Sequence, residues 1–346
     1  MALPRYAAVT GWGHYAPEKV LTNKDLEGMV DTSDEWIRTR TGICERRVAA
    51  ADETTASMCS IAARCALESA NMASLDLDLV ICASTTPDTL MPATGSLIQD
   101  TIGAANAGAF DVNAACTGFV AALVMGSQFI QSGAYDRVLV VGGETLSRFV
   151  NWKDRNTCIL FGDGAGAVVL EAADEECGLL SFVLGSQGSG GPLLDIKAGG
   201  AAKPASPETI AANEHYITMR GNEIFKFAVR SMVHASGEAL AKANLHAEDI
   251  RMVIPHQANV RILRATQEAL GIPWERVFVN VDRYGNTSAA SVGIALSECA
   301  EMGTMQPGDN VLFVAFGGGL TWASAVLRWA DISSIIARRG EGPYAI

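Results

Sequence analysis

The strongest constraint on what this chain can fold into is that its two halves carry the same order of apolar strands and helices. Leu77-Asp78-Leu79-Val80-Ile81 matches Asp249-Ile250-Arg251-Met252-Val253-Ile254, and the Arg137–Gly143 stretch matches Asn310–Phe316. Both alignments share one offset: Val80 corresponds to Val253 and Val138 to Val311, 173 positions each time, half of the 346-residue length. Each half reads helix, strand, loop, helix, strand, turn, helix, strand. Long apolar strands alternating with helices imply mainly parallel sheets covered on both faces. The expected architecture is an α/β chain of two halves, 1–173 and 174–346, facing each other across a pseudo-two-fold axis. The loops at their strand ends should meet in the middle. Residues 4–16 read as a strand and turn ending at Gly11-Trp12-Gly13. The Gly-, Ser-, Ala- and Pro-rich stretch 185–210 reads as a surface crossover that could cover a site or lie in an oligomer interface.

Several function classes are excluded at this level. A net charge of −12 argues against nucleic-acid binding, which needs a basic surface. Apolar residues at 49% against 18% charged supply a large core, yet no apolar run reaches transmembrane length. The eight cysteines, at 44, 59, 65, 82, 116, 158, 177 and 299, contain no C-x-x-C pair and lie mostly inside apolar patterns. Neither a zinc site nor a disulfide framework is indicated. With no signal-peptide pattern at the N-terminus, a cytoplasmic protein without metal or redox cofactor is expected. The glycines of Phe161-Gly162-Asp163-Gly164-Ala165-Gly166 resemble a dinucleotide fingerprint, but β-branched residues follow where a helix is required.

Three segments converge through the duplication. Ala109–Leu123 begins as a strand, narrows at Ala114 and Ala115, places Cys116 at the turn, and continues as a helix over about 117–132. A helix N-terminus favours an anion, so a stabilised Cys116 thiolate is expected. His256 stands just past the strand 253–255, and Asn286 precedes a small-residue helix almost where Cys116 stands in the first half.

The Cys116 segment, His256-Gln257-Ala258-Asn259, Tyr284-Gly285-Asn286-Thr287-Ser288 and Phe316-Gly317-Gly318-Gly319 resemble the thiolase superfamily. With Thr32–Ile37, Thr39–Ile43 and Phe161–Ala165 in the same order, they look like the β-ketoacyl-acyl-carrier-protein synthase III family. The resemblance runs through about residues 4–330. It implies duplicated βαβαβαββ halves in an α-β-α-β-α layering and a homodimer. It also implies decarboxylative condensation of an acyl-CoA with malonyl-acyl carrier protein at the start of fatty-acid synthesis. Coenzyme A thioester is then a substrate, and no cofactor is called for.

That chemistry needs a nucleophile, donors to a thioester enolate, and an oxyanion hole. Cys116 would carry the acyl group, and His256 and Asn286 can both donate to the enolate oxygen. A carboxylate beside them would repel malonate, so none is expected there. The resemblance further implies the N–H groups of Cys116 and Gly318 as oxyanion hole. Trp36, Arg40 and Arg155 are implied at the adenine end of coenzyme A, with Asn259 and Phe316 along the substrate channel. It places Met91 in the acyl pocket across the dimer interface, and Arg261 and Arg264 in a patch docking the carrier protein. One rival keeps the fold and triad but delivers the acyl group to another acceptor in secondary metabolism. A 3-hydroxy-3-methylglutaryl-CoA synthase fits less well, since Ala83-Ser84-Thr85-Thr86 lacks an acidic base. The tail 331–346 has no functional reading.

Overall fold

The computed structural model describes residues 5–339. Nine strands make the main sheet: β1 (Tyr6–Tyr15), β2 (Leu79–Ala83), β3 (Gly108–Val112), β4 (Arg137–Glu144), β5 (Gly164–Ala173), β6 (Gly178–Ser186), β7 (Ile250–Pro255), β8 (Asn310–Gly317) and β9 (Thr321–Arg328). Their spatial order is β7-β8-β9-β6-β1-β5-β4-β2-β3. The two wings pair alike. β2 runs parallel to β4 and β7 parallel to β8, while β4–β5 and β8–β9 are antiparallel. The wings join between β1 and β6 through one parallel pair, Ala7 with Gly178. Mainly parallel pairing is therefore confined to the outer strands. The short turn Gly318–Leu320 between β8 and β9 forces an antiparallel pair, because a parallel connection needs a long crossover.

Five long helices complete the layers: α1 (Thr55–Ser69), α2 (Gly118–Gln131), α3 (Gly221–Lys242), α4 (Val260–Leu270) and α5 (Ala290–Glu301). The period-2 alternation of the strands decides which helix each face covers. On β4, Val138 and Val140 pack in the central cluster with α2 and α5, whereas Leu139 and Val141 pack outward against α1. On β8, Val311, Phe313 and Ala315 face the centre, whereas Leu312, Val314 and Phe316 face α3 and α4. The result is an α/β protein of thiolase-like layering with α2 and α5 innermost.

Close backbone approach sets the glycine positions. Gly11 and Gly13 lie inside β1, not in a turn. A Cβ on Gly11 would fall 2.3 Å from the Ala66 carbonyl of α1, and one on Gly13 2.5 Å from that of Ala62. The stretch 185–210 is also more ordered than a plain surface crossover. It contains the strand Leu194–Ile196, paired with Ile217–Met219, and a short helix Pro207–Ala211 capped by Ser206. In the tail, Ile332–Ala337 is helical and Ile335 packs on Ala8 and Cys177; residues 340–346 lie outside the described residues.

Gly166 and Gly237 make a matched test. A Cβ on Gly166 would stand 2.3 Å from the Gly293 backbone, whereas one on Gly237, exposed in α3, meets nothing within 4 Å. Chemical unfolding should show Gly166→Ala destabilised by about 1–3 kcal/mol and Gly237→Ala stabilised by about 0.5–1 kcal/mol.

Candidate active site

The turn that presents Cys116 is built by its neighbours. The Asp111 carboxylate at the end of β3 accepts from the Thr94 and Gly95 N–H groups, at 2.8 and 2.6 Å. Ala115 takes a left-handed φ of +50°, and Ala115–Thr117 forms one tight turn before α2. The Thr117 hydroxyl donates to the Ala114 carbonyl (2.6 Å) and reaches Thr321 Oγ1 (3.1 Å), tying this turn to the β8–β9 turn. A Cβ on Gly317 would stand 2.7 Å from the Cys116 nitrogen, so only glycine permits this approach. Gly318 lines one cavity with Cys116, and the N–H groups of Cys116 and Gly318 both act to lower the thiol pKa.

His256 follows β7 and is fully buried, its N–H bonded to the Val314 carbonyl at 2.8 Å. Its Nδ1 lies 2.6 Å from Ser291 Oγ, which also accepts from the Gln257 N–H at 3.3 Å. The Ser291 hydroxyl proton has no other acceptor among the described hydrogen bonds, so it is assigned to Nδ1, and the ring proton to Nε2. Nε2 is buried without a partner and His256 lines the larger cavity described below. Asn286 is clamped by backbone bonds to Leu160 and Gly162. Its Oδ1 accepts from the Ser288 N–H at 2.9 Å, which fixes the amide and leaves its NH2 as the free donor.

The electrostatics depart from the sequence expectation. Burial pushes the Cys116 thiol up to about 11, outweighing the lowering by Ser288 and the two N–H groups. Burial likewise takes His256 down to about 3. The resting pair is a neutral thiol and a neutral imidazole. The stabilised thiolate expected from the helix N-terminus is opposed by desolvation, which raises the thiol pKa.

Two cavities meet at Cys116. One, of about 430 Å³, is lined by Thr85, Leu146, Leu194, Ile196, Ile217 and Ser288. The other, of about 640 Å³, runs past His256, Asn286 and Phe316 to Trp36 and Arg40. Arg40 and Arg155 stack on Trp36 at 4.7 and 5.2 Å. Asn259 lines this cavity but spends its side chain locally, capping α4 through Arg261 N–H and donating to the Arg40 carbonyl. Arg261 and Arg264 are exposed on α4, over Phe225 and Trp274 respectively. Met91 is 87% exposed and lines neither cavity within the chain.

Three polar neighbours of this centre received no role in the sequence reading: Ser288, Ser291 and Glu144. The hydroxyls follow Asn286 within five residues. Glu144 is fully buried against Ser84, Thr85 and Thr86, the loop read as lacking a carboxylate. Its only sequence signal was an acid closing an apolar strand. The expectation of no carboxylate near the centre is corrected accordingly.

The depressed His256 pKa has a stability consequence. Unfolded imidazole takes up a proton near pH 6.5, the folded one only near about 3. The associated stability is complete above pH 6.5 and is lost as pH falls towards 3, at up to about 1.4 kcal/mol per pH unit. Denaturant midpoints measured from pH 6.5 to 5 should fall less steeply for His256→Gln than for the wild type.

Known proteins share this fold. The family described as 3-oxoacyl-[acyl-carrier-protein] synthase III matches residues 110–188, and its C-terminal counterpart matches 240–329. The chain is 55% identical to a β-ketoacyl-[acyl-carrier-protein] synthase III of Roseiflexus sp., over 94% of this chain and 99% of the relative. The crystal structure of the Aquifex aeolicus synthase III superposes with a TM-score of 0.87 at 48% identity, covering 93% of this chain and 100% of that one. The priming β-ketosynthase of the R1128 polyketide pathway superposes at 0.89 with 35% identity, covering 96% and 98%. A duplicated fold with its cysteine, histidine and asparagine on one cavity junction, matched over nearly the full length, makes this chain a member of the β-ketoacyl-acyl-carrier-protein synthase III family.

Proposed function

We propose that this chain condenses an acyl-CoA starter with malonyl-acyl carrier protein, with loss of carbon dioxide, through an acyl thioester on Cys116. The observation that carries this reading is the meeting of a thiol, two N–H groups, an imidazole Nε2 and an amide NH2 at the junction of two cavities. In the first half-reaction the sulfur attacks the starter thioester, and its proton passes through solvent to the departing coenzyme A thiolate. The oxyanion lies between the Cys116 and Gly318 N–H groups, and coenzyme A leaves. In the second, the malonyl thioester oxygen takes hydrogen bonds from His256 Nε2 and Asn286 as carbon dioxide departs. The enolate carbon then attacks the acyl carbonyl, and Cys116 leaves. A neutral imidazole suits this step, because it donates one hydrogen bond to the growing charge without giving up a cationic proton. Such donors act strongly in a dry site.

The smaller cavity is the acyl pocket and the larger the coenzyme A and pantetheine channel, with Arg40 and Arg155 held on Trp36 for the nucleotide phosphates. Asn259 holds the Arg40 backbone in place, and Phe316 packs edge-on to His256 at 5.5 Å. Arg261 and Arg264 dock the acidic carrier on a chain of net charge −12, so docking weakens with salt. Leu90 and Met91, 88% and 87% exposed, are the apolar pair that a second subunit covers in a homodimer, where Met91 shapes the partner's acyl pocket. No helix among the described residues is long and apolar enough to cross a membrane, and the cytoplasm is the proposed site of action. The 35% identity to a polyketide priming ketosynthase favours, as a second reading, the same Cys116 chemistry with a different acceptor.

Intact-protein mass spectrometry with a panel of acyl-CoAs tests the assignment. Wild type gains an acyl mass that malonyl-acyl carrier protein clears with release of β-ketoacyl product, and Cys116→Ala gains none. An acyl mass that malonyl-acyl carrier protein never clears transfers the assignment to the second reading. Asn286→Ala should still load within a few-fold of wild type while its condensation rate falls about 10²–10³-fold, measured by single-turnover quench. Arg264→Glu should raise KM for the carrier substrate, and the difference should narrow as salt is raised.

A further inference from the structure

His256 and Asn286 stand on separate loops, and a thioester enolate oxygen needs both donors at once, so their spacing must be held from outside the pair. One buried side chain spans the gap between the two loops. Gln257 follows His256, and its amide uses every position it has. Nε2 donates to the Pro255 carbonyl at 2.9 Å and to the Phe278 carbonyl at 3.0 Å, and Oε1 accepts from the Asn280 and Val281 N–H groups at 3.0 and 3.2 Å. The segment 277–281 is thereby fastened along the outer edge of β7, where the Phe278 N–H also bonds the Val253 carbonyl at 2.9 Å. Among side chains only an amide offers two donors and a two-site acceptor together.

The far end of that segment is held as firmly. Val281–Tyr284 is a single helical turn, followed by Gly285 at φ +65° and then Asn286. Glu298, buried on α5, takes four bonds from this turn and the residue before it. The donors are Arg283 Nη1 and Nη2 at 2.7 and 2.8 Å, Tyr284 Oη at 2.8 Å and Asn280 Nδ2 at 2.8 Å. Ser291, which bonds His256 Nδ1, lies two turns earlier on the same face of α5. Helix α5 therefore carries one contact to each donor's loop, and Gln257 closes the frame on the other side. Neither Gln257 nor Glu298 lines either cavity, so neither is placed to touch substrate.

We propose that Gln257 is a positioning residue: its amide fixes the spacing of His256 and Asn286, with Glu298 anchoring the turn that leads to Asn286, and so sets the rate of condensation. This rests on the reading of those two side chains as donors to the thioester enolate. A displacement of about 1 Å at such a donor costs on the order of 10²-fold in rate. Loading of Cys116 uses the N–H groups of Cys116 and Gly318 and stands apart from this frame. The Gln257 amide therefore governs the second half-reaction and leaves the first nearly untouched.

A double-mutant cycle on the two half-reactions, read by single-turnover quench, tests the assignment. Gln257→Met keeps the side-chain length and removes all four bonds. It should load acyl-CoA within a few-fold of wild type while condensation slows about 10²-fold. Added to Asn286→Ala, it should cost only a few-fold more, because the spacing no longer matters once one donor is gone. A residue that merely stabilises the fold predicts losses that multiply. Multiplied losses, a loading rate that falls together with condensation, or an unchanged condensation rate each overturns the proposal. If Gln257→Met lacks native circular dichroism, Glu298→Gln carries the same cycle from the other end, and multiplied losses there overturn it equally. Selective nitrogen-15 labelling of asparagine gives a readout that needs no substrate. The Asn286 side-chain amide signal, assigned by its loss in Asn286→Ala, should shift in Gln257→Met and in Glu298→Gln, and an unmoved signal overturns the coupling. If acyl-CoA fails to load wild type while that signal still moves, the acyl-transfer reading fails and the spacing role of Gln257 stands.

Discussion

The reacting centre depends on how closely α5 lies against the first wing of the sheet. Gly166 meets Gly293 backbone to backbone, and a Cβ on Gly142 would stand 2.5 Å from the Ala289 carbonyl. With no side chain in the gap, the loop before α5 slides under Leu160 and Gly162 and is held there by backbone bonds at both ends of Asn286. The same approach brings Ser288 to the cavity that Cys116 lines. The β8–β9 turn closes the third side, where Gly317 allows contact with the Cys116 nitrogen. The duplicated architecture thus becomes a site through contacts between small residues, at a distance no larger residue allows.

That closeness buries Cys116 and His256, and the burial sets the chemistry. A thiol pushed up to about 11 and an imidazole pushed down to about 3 do not form an ion pair at rest. Hydrogen bonds in such a place act through a low dielectric and cost little reorganisation when charge develops. The neutral His256, its tautomer set by Ser291, is poised as a donor and not as a base.

Much of this was legible in the sequence. The offset between the halves brought Cys116, His256 and Asn286 to one centre, because equivalent strands occupy equivalent places in the two wings. Trp36 with Arg40 and Arg155 was legible from the resemblance, and the three side chains do stack. The thiol pKa was not, because a helix N-terminus is a local signal whereas desolvation is set by residues distant in sequence. Glu144 was invisible for a similar reason: it lies near Ser84–Thr86 only because β4 pairs with β2. Gly11 and Gly13 read as a turn because local glycine propensity cannot reveal a helix packed across a strand. Met91 lies outside both cavities because its proposed role needs a second chain.

The central claim is that the resting centre is uncharged at Cys116 and His256, with the imidazole proton on Nε2. Nitrogen-15 NMR of histidine-labelled enzyme, with the His256 signal assigned by His256→Gln, reads both features directly between pH 5 and 8. The account predicts neutral, Nε2-protonated shifts that do not move across this range. A His256 signal that titrates within it, or that shows imidazolium at neutral pH and is lost in Cys116→Ala, would mean a thiolate–imidazolium pair and contradict the account.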